Sequence, residues 1–226
     1  DRFFAFVAGL TLIHILWATG MNLLYGYTGL MPLMFAGIAG ISAYIVVGLT
    51  GSWGWSFWAA LPAGAVAASA IGVVLGLPSL RLKGFYFTLC SLVIQTVITL
   101  GFVFFVNLTN GDTGISQIPP PILPGGAPLT GTAYDLVLSA VAVAGVVVLI
   151  AIVNSDFGRR LIAIREDDVL AETLGIDVTR QKMLAFFVGS LFAAVGGALY
   201  APYVGFISPR SFDVLISLNI WLMVAF

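Results

Sequence analysis

Tyr134 to Val153 reads YDLVLSAVAVAGVVVLIAIV, and after Asp135 it holds no charged side chain. A helix needs about 20 consecutive apolar residues to cross a bilayer, so this run is long enough to span one. Similar runs cover Phe3 to Tyr25, Trp55 to Leu77, Phe85 to Val106 and Met183 to Val204, with a shorter one from Leu33 to Leu49 and a last one from Phe212 onward. Barrel strands would alternate apolar and polar residues over about 10 positions, and these runs do not. Only 8% of the 226 residues are charged and the mean hydropathy is +1.09, against roughly 25% charged in a soluble domain. The pattern predicts an all-α polytopic transmembrane helix bundle forming one domain over residues 1–226. Asp1 and Arg2 lead straight into a span, and NIWLMVAF stops inside an apolar run, so a fragment lacking both ends is expected.

Between the first two runs lies GYTGLMP, Gly26 to Pro32. Pro32 lacks an N–H and disfavours helical geometry at Met31, which predicts a break there. Such breaks are tolerated at membrane depth only where they are buried or line a cavity. Pro62 predicts a kink in the third run, and Trp53, Trp55 and Trp58 predict a membrane–water interface at its start. Asn107 to Thr132, with Pro119, Pro120, Pro121, Pro124 and Pro128, reads as a loop rather than a helix.

Basic residues set the orientation, because cytoplasmic loops are enriched in Lys and Arg. Ser155 to Lys182 holds Arg159, Arg160, Arg165, Arg180 and Lys182, five of the nine in the chain. With that segment inside, alternating spans also place Arg81 and Lys83 inside and the proline-rich segment outside. Only Arg2 and Arg210 fall on the outer side.

Several chemistries are missing. There is no GxxxxGK[ST] loop to cradle a nucleotide phosphate, no metal-ligand spacing of His, Cys or carboxylates, and no catalytic constellation. A net charge of -1 leaves no basic surface for nucleic acid. Cys90, the one cysteine, lies in an apolar run and reads as a packing residue. His14 is alone in the first span; such a residue is more often hydrogen-bonded packing than a ligand, though an ionisable group at membrane depth is a functional candidate by default. The span interiors otherwise lack Asp, Glu, Lys and Arg, which counts against an autonomous ion- or proton-coupled pump.

The charged segment AIREDDVLAETLGIDVTRQK, Ala163 to Lys182, is not a lipid-binding patch, because from Ser155 to Lys182 acids outnumber bases by one. Asp167 and Asp168 suit the positive N-terminal end of a short helix, and Gly175 suits the position just past its end. Val169, Leu170 and Leu174 then share an apolar side, with Glu172 turned away. An amphipathic helix of this kind is what a partner's groove grips.

From Ser155 to Ala201 the chain resembles the permeases of the branched-chain amino acid ABC transporter family, of LivM type. The resemblance rests on Ser155, Gly158, Arg159, then Ala163, Ile164, Arg165, Glu166, then Ala171, Glu172, Leu174, Gly175, Ile176, then Lys182, Ala185, Phe186, and on Gly196 and Gly197. GYTG (26–29), RLKGFYF (81–87), TNGDTGI (109–115) and ISPRSF (207–212) follow the same family order. The resemblance implies that Ser155 to Lys182 is a cytoplasmic coupling segment, with Arg165, Glu166, Asp167, Asp168, Ala171, Glu172, Leu174 and Gly175 coupling the permease to ATP-binding subunits. It also implies a second permease subunit, a periplasmic solute-binding protein, a lipid-embedded position in the inner membrane, and ATP and Mg bound on the partners with no cofactor on this chain. Where family members place a Gln and a Ser-Leu-Gly step after the Gly-x-x-Gly turn, this chain has Leu30, Met31, Pro32, Leu33 and Met34. That departure implies a less polar pathway and a larger or more apolar amino acid or carboxylate.

With few charges in the spans, substrate contacts would come from neutral polar groups, aromatics and exposed backbone at helix breaks. The candidates are Asn22, Tyr44, Tyr86, Thr88, Ser91, Gln95, Ser190, Ser217 and Asn219. The competing reading is that these side chains hydrogen-bond neighbouring helices. A stand-alone secondary transporter or channel is the alternative at the level of the whole protein.

Overall fold

The computed structural model describes residues 2–80, 82, 84–122 and 128–226. Arg81, Lys83 and Pro124, which carry part of the orientation and loop expectations, lie outside the described residues.

Helices dominate, because backbone groups in hydrocarbon must find partners within their own segment. Helix α1 (Arg2–Met21) continues into a π-helical turn, Asn22–Gly26. Helix α2 (Phe35–Gly51) follows a non-helical stretch, then α3 (Phe57–Leu80), α4 (Phe85–Phe104) and the short α5 (Val106–Thr109). Next come α6 (Thr132–Val153), α7 (Asp156–Glu166), α8 (Asp168–Thr173), α9 (Val178–Val204) and α10 (Val214–Ala225). Among the described residues, five helices are long and apolar enough to cross a membrane: Phe3–Gly26, α3, α4, α6 and α9.

Helix α2 is the exception. Its 17 residues reach only about 25 Å at 1.5 Å per residue, short of a hydrocarbon core about 30 Å thick. The break expected at Pro32 is present, and Pro32, Leu33 and Met34 are all buried. Most of α2 is buried too, held between α3 and α9, and small residues permit that closeness. A Cβ added at Gly197 of α9 would lie 2.0 Å from the Ala39 carbonyl oxygen, and one at Gly64 of α3 would lie 2.5 Å from Val46 Cγ2.

The two ends of the bundle are distinguishable. At one, Tyr203 of α9 donates its hydroxyl proton among Ala5 O (3.1 Å), Phe6 O (3.2 Å) and Asp135 Oδ1 (3.0 Å), gathering the starts of α1 and α6. The proline-rich segment lies at this end, since Ile115–Ser116 (β1) pairs antiparallel with Phe206–Ile207 (β2) just past α9. Trp58 Nε1 also donates to Ile122 O (3.0 Å). The charged segment lies at the opposite end with the terminus of α1, in accord with the alternation argued from Lys and Arg.

Some boundaries differ from the sequence expectation. Asn107 to Thr132 is not wholly loop: it contains most of α5, a 3-10 turn at Gly111–Thr113 and β1. The fourth span stops at Phe104 rather than Val106, and α3 runs from Phe57 to Leu80 rather than from Trp55 to Leu77, with Pro62 and Pro78 inside it. The sixth span begins at Val178 rather than Met183, because Asp177 Oδ1 caps it by accepting from Arg180 N–H (3.0 Å). Lys182 therefore belongs to α9 and not to a loop.

Candidate functional site

Ahead of α9 the charged segment forms two helices joined at one residue, Asp167. Ser155 Oγ caps α7, accepting from Gly158 N–H (3.4 Å). Asp167 ends α7 in extended geometry and starts α8, its Oδ1 accepting from Val169 N–H (2.8 Å) and Leu170 N–H (3.1 Å). Gly175 follows α8 with φ +82°, the left-handed conformation that ends helices and that glycine adopts without strain. The helix anticipated between Asp167 and Gly175 is thus present, but α7 ahead of it was not anticipated.

Helix α8 is fixed on one side and open on the other. Ile164, Ala171 and Val178 form a small buried cluster with Ile176 against it. Lys182 Nζ of α9 donates to Asp168 Oδ2 at 2.7 Å, with the lysine side chain 9% exposed. Val169, Leu170 and Leu174 are 60%, 57% and 72% exposed, and Glu166 and Glu172 are exposed beside them. Val169 and Leu170 of α8, with Leu174 just past its end, form an apolar surface rimmed by charge. Arg165, at the end of α7, points elsewhere: its Nη1 donates to Gly26 O at the end of the π turn.

At the break, three candidates meet. The first amides of a helix have no intrahelical acceptor, and at membrane depth no bulk water replaces it. Leu33 N–H donates to Ser91 Oγ, Ala36 N–H to Ser217 Oγ and Gly37 N–H to Gln95 Oε1, each at 2.9 Å. Ser91 Oγ in turn donates to the carbonyl of Thr88 (2.7 Å), which is itself half-buried. Gln95 Nε2 donates to Phe212 O (2.7 Å) and Thr99 Oγ1 (3.3 Å). Side chains on α4 and α10 thereby cap α2, and Gln95 also ties it to the segment between α9 and α10.

The other candidates lie apart. Tyr44 is buried on α2 with its ring 4.8 Å from Phe102, and Tyr44 Oη has no hydrogen-bond partner among the described residues. It borders an apolar crevice of about 640 Å³ between α2, α3 and α4, walled by Ile41, Ile45, Leu75, Ile98 and Phe102. Ser190 Oγ on α9 is buried without a partner among the described residues, as is Ser42 Oγ on α2, which the sequence reading passed over. Asn22 folds over Gly26, where a Cβ would lie 2.1 Å from its Oδ1. Tyr86 and Asn219 are exposed on the surface of the chain. His14 Nδ1 pairs with Leu10 O at 2.8 Å, the satisfied packing role. Cys90 is half-buried within α4.

Residues 3–226 match the family described as branched-chain amino acid transport system / permease component. The chain is 34% identical over 229 residues to the high-affinity branched-chain amino acid transport system permease protein LivM of Escherichia coli, and 33% identical over 229 residues to that of Salmonella typhimurium. Both alignments cover 91% of this chain and 54% of the relative, so the chain spans about half the length of the curated relatives it matches. A probable branched-chain amino acid transport permease protein LivM of Methanocaldococcus jannaschii is 29% identical over 143 residues, covering 61% of this chain and 41% of that protein. No solved structure matches at a significant level. Together with its apolar spanning helices, the match over nearly the whole chain makes this a multi-pass membrane protein belonging to the branched-chain amino acid transport permease family.

Proposed function

We propose that the protein is the transmembrane permease subunit of an ATP-binding cassette importer in the inner, plasma membrane. It moves branched-chain amino acids, or a related small amino acid, amide or carboxylate, inward. ATP and Mg are bound and used on separate cytoplasmic subunits. A second permease chain and a periplasmic solute-binding protein complete the assembly.

The observation that carries this reading is α8: a helix braced against α9 on one side and apolar and exposed on the other. A helix so braced moves as a rigid handle when a partner groove holding its free face closes, whereas a flexible tether would absorb the motion. The crevice beside Tyr44 suits the aliphatic side chain of such a solute, while its uncharged walls offer no partner to the charged ends.

The test is reconstitution of the complete protein with its ATP-binding subunits in proteoliposomes, measuring uptake of radiolabelled leucine with and without ATP. Uptake indifferent to ATP would sink the importer reading. Docking has its own test in Leu170→Asp. Burying an exposed leucine in a groove contributes about 1.5–3 kcal/mol, so a carboxylate there should weaken association by at least about tenfold. Because Leu170 is mostly exposed, thermal stability and membrane insertion of the permease should not change. Undiminished co-purification of ATP-binding subunits would remove α8 from the interface.

A further inference from the structure

We propose that Arg165 is a positioning residue that transmits movement of the charged segment to the broken helix α2, by holding the end of α1. The functional consequence rests on the importer reading; the contact itself does not. Arg165 stands at the joint between α7 and α8, one residue before Glu166 ends α7 and two before the Asp167 cap. Instead of joining the exposed face of α8, its guanidinium donates to Gly26 O, 139 positions away in sequence. Its stem follows the same path, since a Cβ at Gly29 would lie 3.4 Å from Arg165 Cγ.

The chemistry favours this pairing. Carbonyls at the C-terminal end of a helix lack intrahelical partners and carry the negative end of its dipole, so a cation is stabilised there. The acceptor is the last residue of a π turn, a widened and less regular stretch common where helices must adjust. Beyond it, Leu30 N–H still bonds to Leu24 O (2.9 Å) and Thr28 Oγ1 to Leu23 O (3.0 Å), so the exit from α1 is a closed, ordered corner.

The far end of the same connection is anchored differently. Leu33, Ala36 and Gly37 are held by Ser91, Ser217 and Gln95 on α4 and α10. The link from Gly26 to Gly37 is therefore gripped by the charged segment at one end and by the bundle at the other. A shift of α7 and α8 relative to the spans must either carry Gly26 with it or release the bond. Arg165 is not needed to brace α8, which has the Asp167 cap, the Ile164–Ala171–Val178 cluster and the Lys182–Asp168 pair.

Arg165→Ala and Arg165→Lys in the complete protein test this with two readouts. In lipid nanodiscs without partners, hydrogen exchange of the amides from Tyr27 to Leu33 should quicken about tenfold in Arg165→Ala, the loss of one charge-assisted hydrogen bond. It should stay close to the parent rate in Arg165→Lys, and α8 should be unchanged in both. In the reconstituted complex, leucine moved per ATP hydrolysed should fall several-fold in Arg165→Ala with co-purification of the ATP-binding subunits intact, and recover in Arg165→Lys. Unchanged exchange at the break would overturn the contact. Parallel loss of co-purification, hydrolysis and uptake would overturn transmission and make Arg165 a docking residue. Failure of the parent complex to couple uptake to ATP would strike the importer reading, and the exchange measurement would still decide the contact.

Discussion

Gln95→Leu is expected to lower stability by about 2–6 kcal/mol, since it leaves two buried backbone groups unsatisfied at about 1–3 kcal/mol each. The side chain is 1% exposed and closes the Gly37 amide and the Phe212 carbonyl together. Leucine preserves the volume and removes both bonds, so a packing loss cannot account for the result. Polar contacts between membrane helices average only about 0.6 kcal/mol, because the separated helices find other partners. That discount applies weakly here: the amide of Gly37 sits at a helix start and has no i-4 carbonyl to return to. Ser91→Ala and Ser217→Ala each remove a single cap and should cost about 1 kcal/mol. Unfolding in mixed micelles, followed by circular dichroism, gives the comparison. A loss in Gln95→Leu no larger than in the serine variants would mean that the start of α2 is satisfied by something other than these side chains.

The long spans were legible because hydrocarbon demands apolar length, and α6 was found to within two residues. Helix α8 was legible because its signals are local: Asp167 at its start and Gly175 past its end. Helix α7 is less legible because its density of charge resembles a loop, although Ser155 ahead of an acidic first turn is a cap signal. Ser91, Gln95 and Ser217 could be picked out as neutral polar residues in apolar helices. Their common role could not, since it depends on where α4 and α10 stand relative to the break. The same holds for Arg165 and Gly26, and for the two-residue pairing of β1 with β2, which has no composition to announce it. At the turn itself, Leu30, Leu33 and Met34 are buried in the core.

Gly197→Ala is expected to disrupt the fold as severely, although it adds one methyl group. The new Cβ would lie 2.0 Å from Ala39 O, 2.6 Å from Ala39 C and 2.8 Å from Ala39 Cα, and none of these backbone atoms can turn aside as a side chain would. Relief requires α2 and α9 to separate, which loosens the most intimate helix contact of the bundle; overpacking of this kind costs about 1–3 kcal/mol and sometimes more. Gly48→Ala and Gly101→Ala are the controls, for a Cβ at either meets nothing within 4 Å among the described residues. Both glycines lie within helices, where alanine is favoured by about 0.5–1 kcal/mol, so these variants should be neutral or slightly more stable. The folded fraction in detergent and the thermal midpoint separate the cases. Equal behaviour of all three variants would show that α2 and α9 do not meet at Ala39. A loss confined to Gly197→Ala would place that constraint at Ala39, two residues beyond the capped amide of Gly37 and so in the same first turns of α2. The start of the broken helix would then be held from two sides, by α9 at Ala39 and by α4 and α10 at Leu33, Ala36 and Gly37.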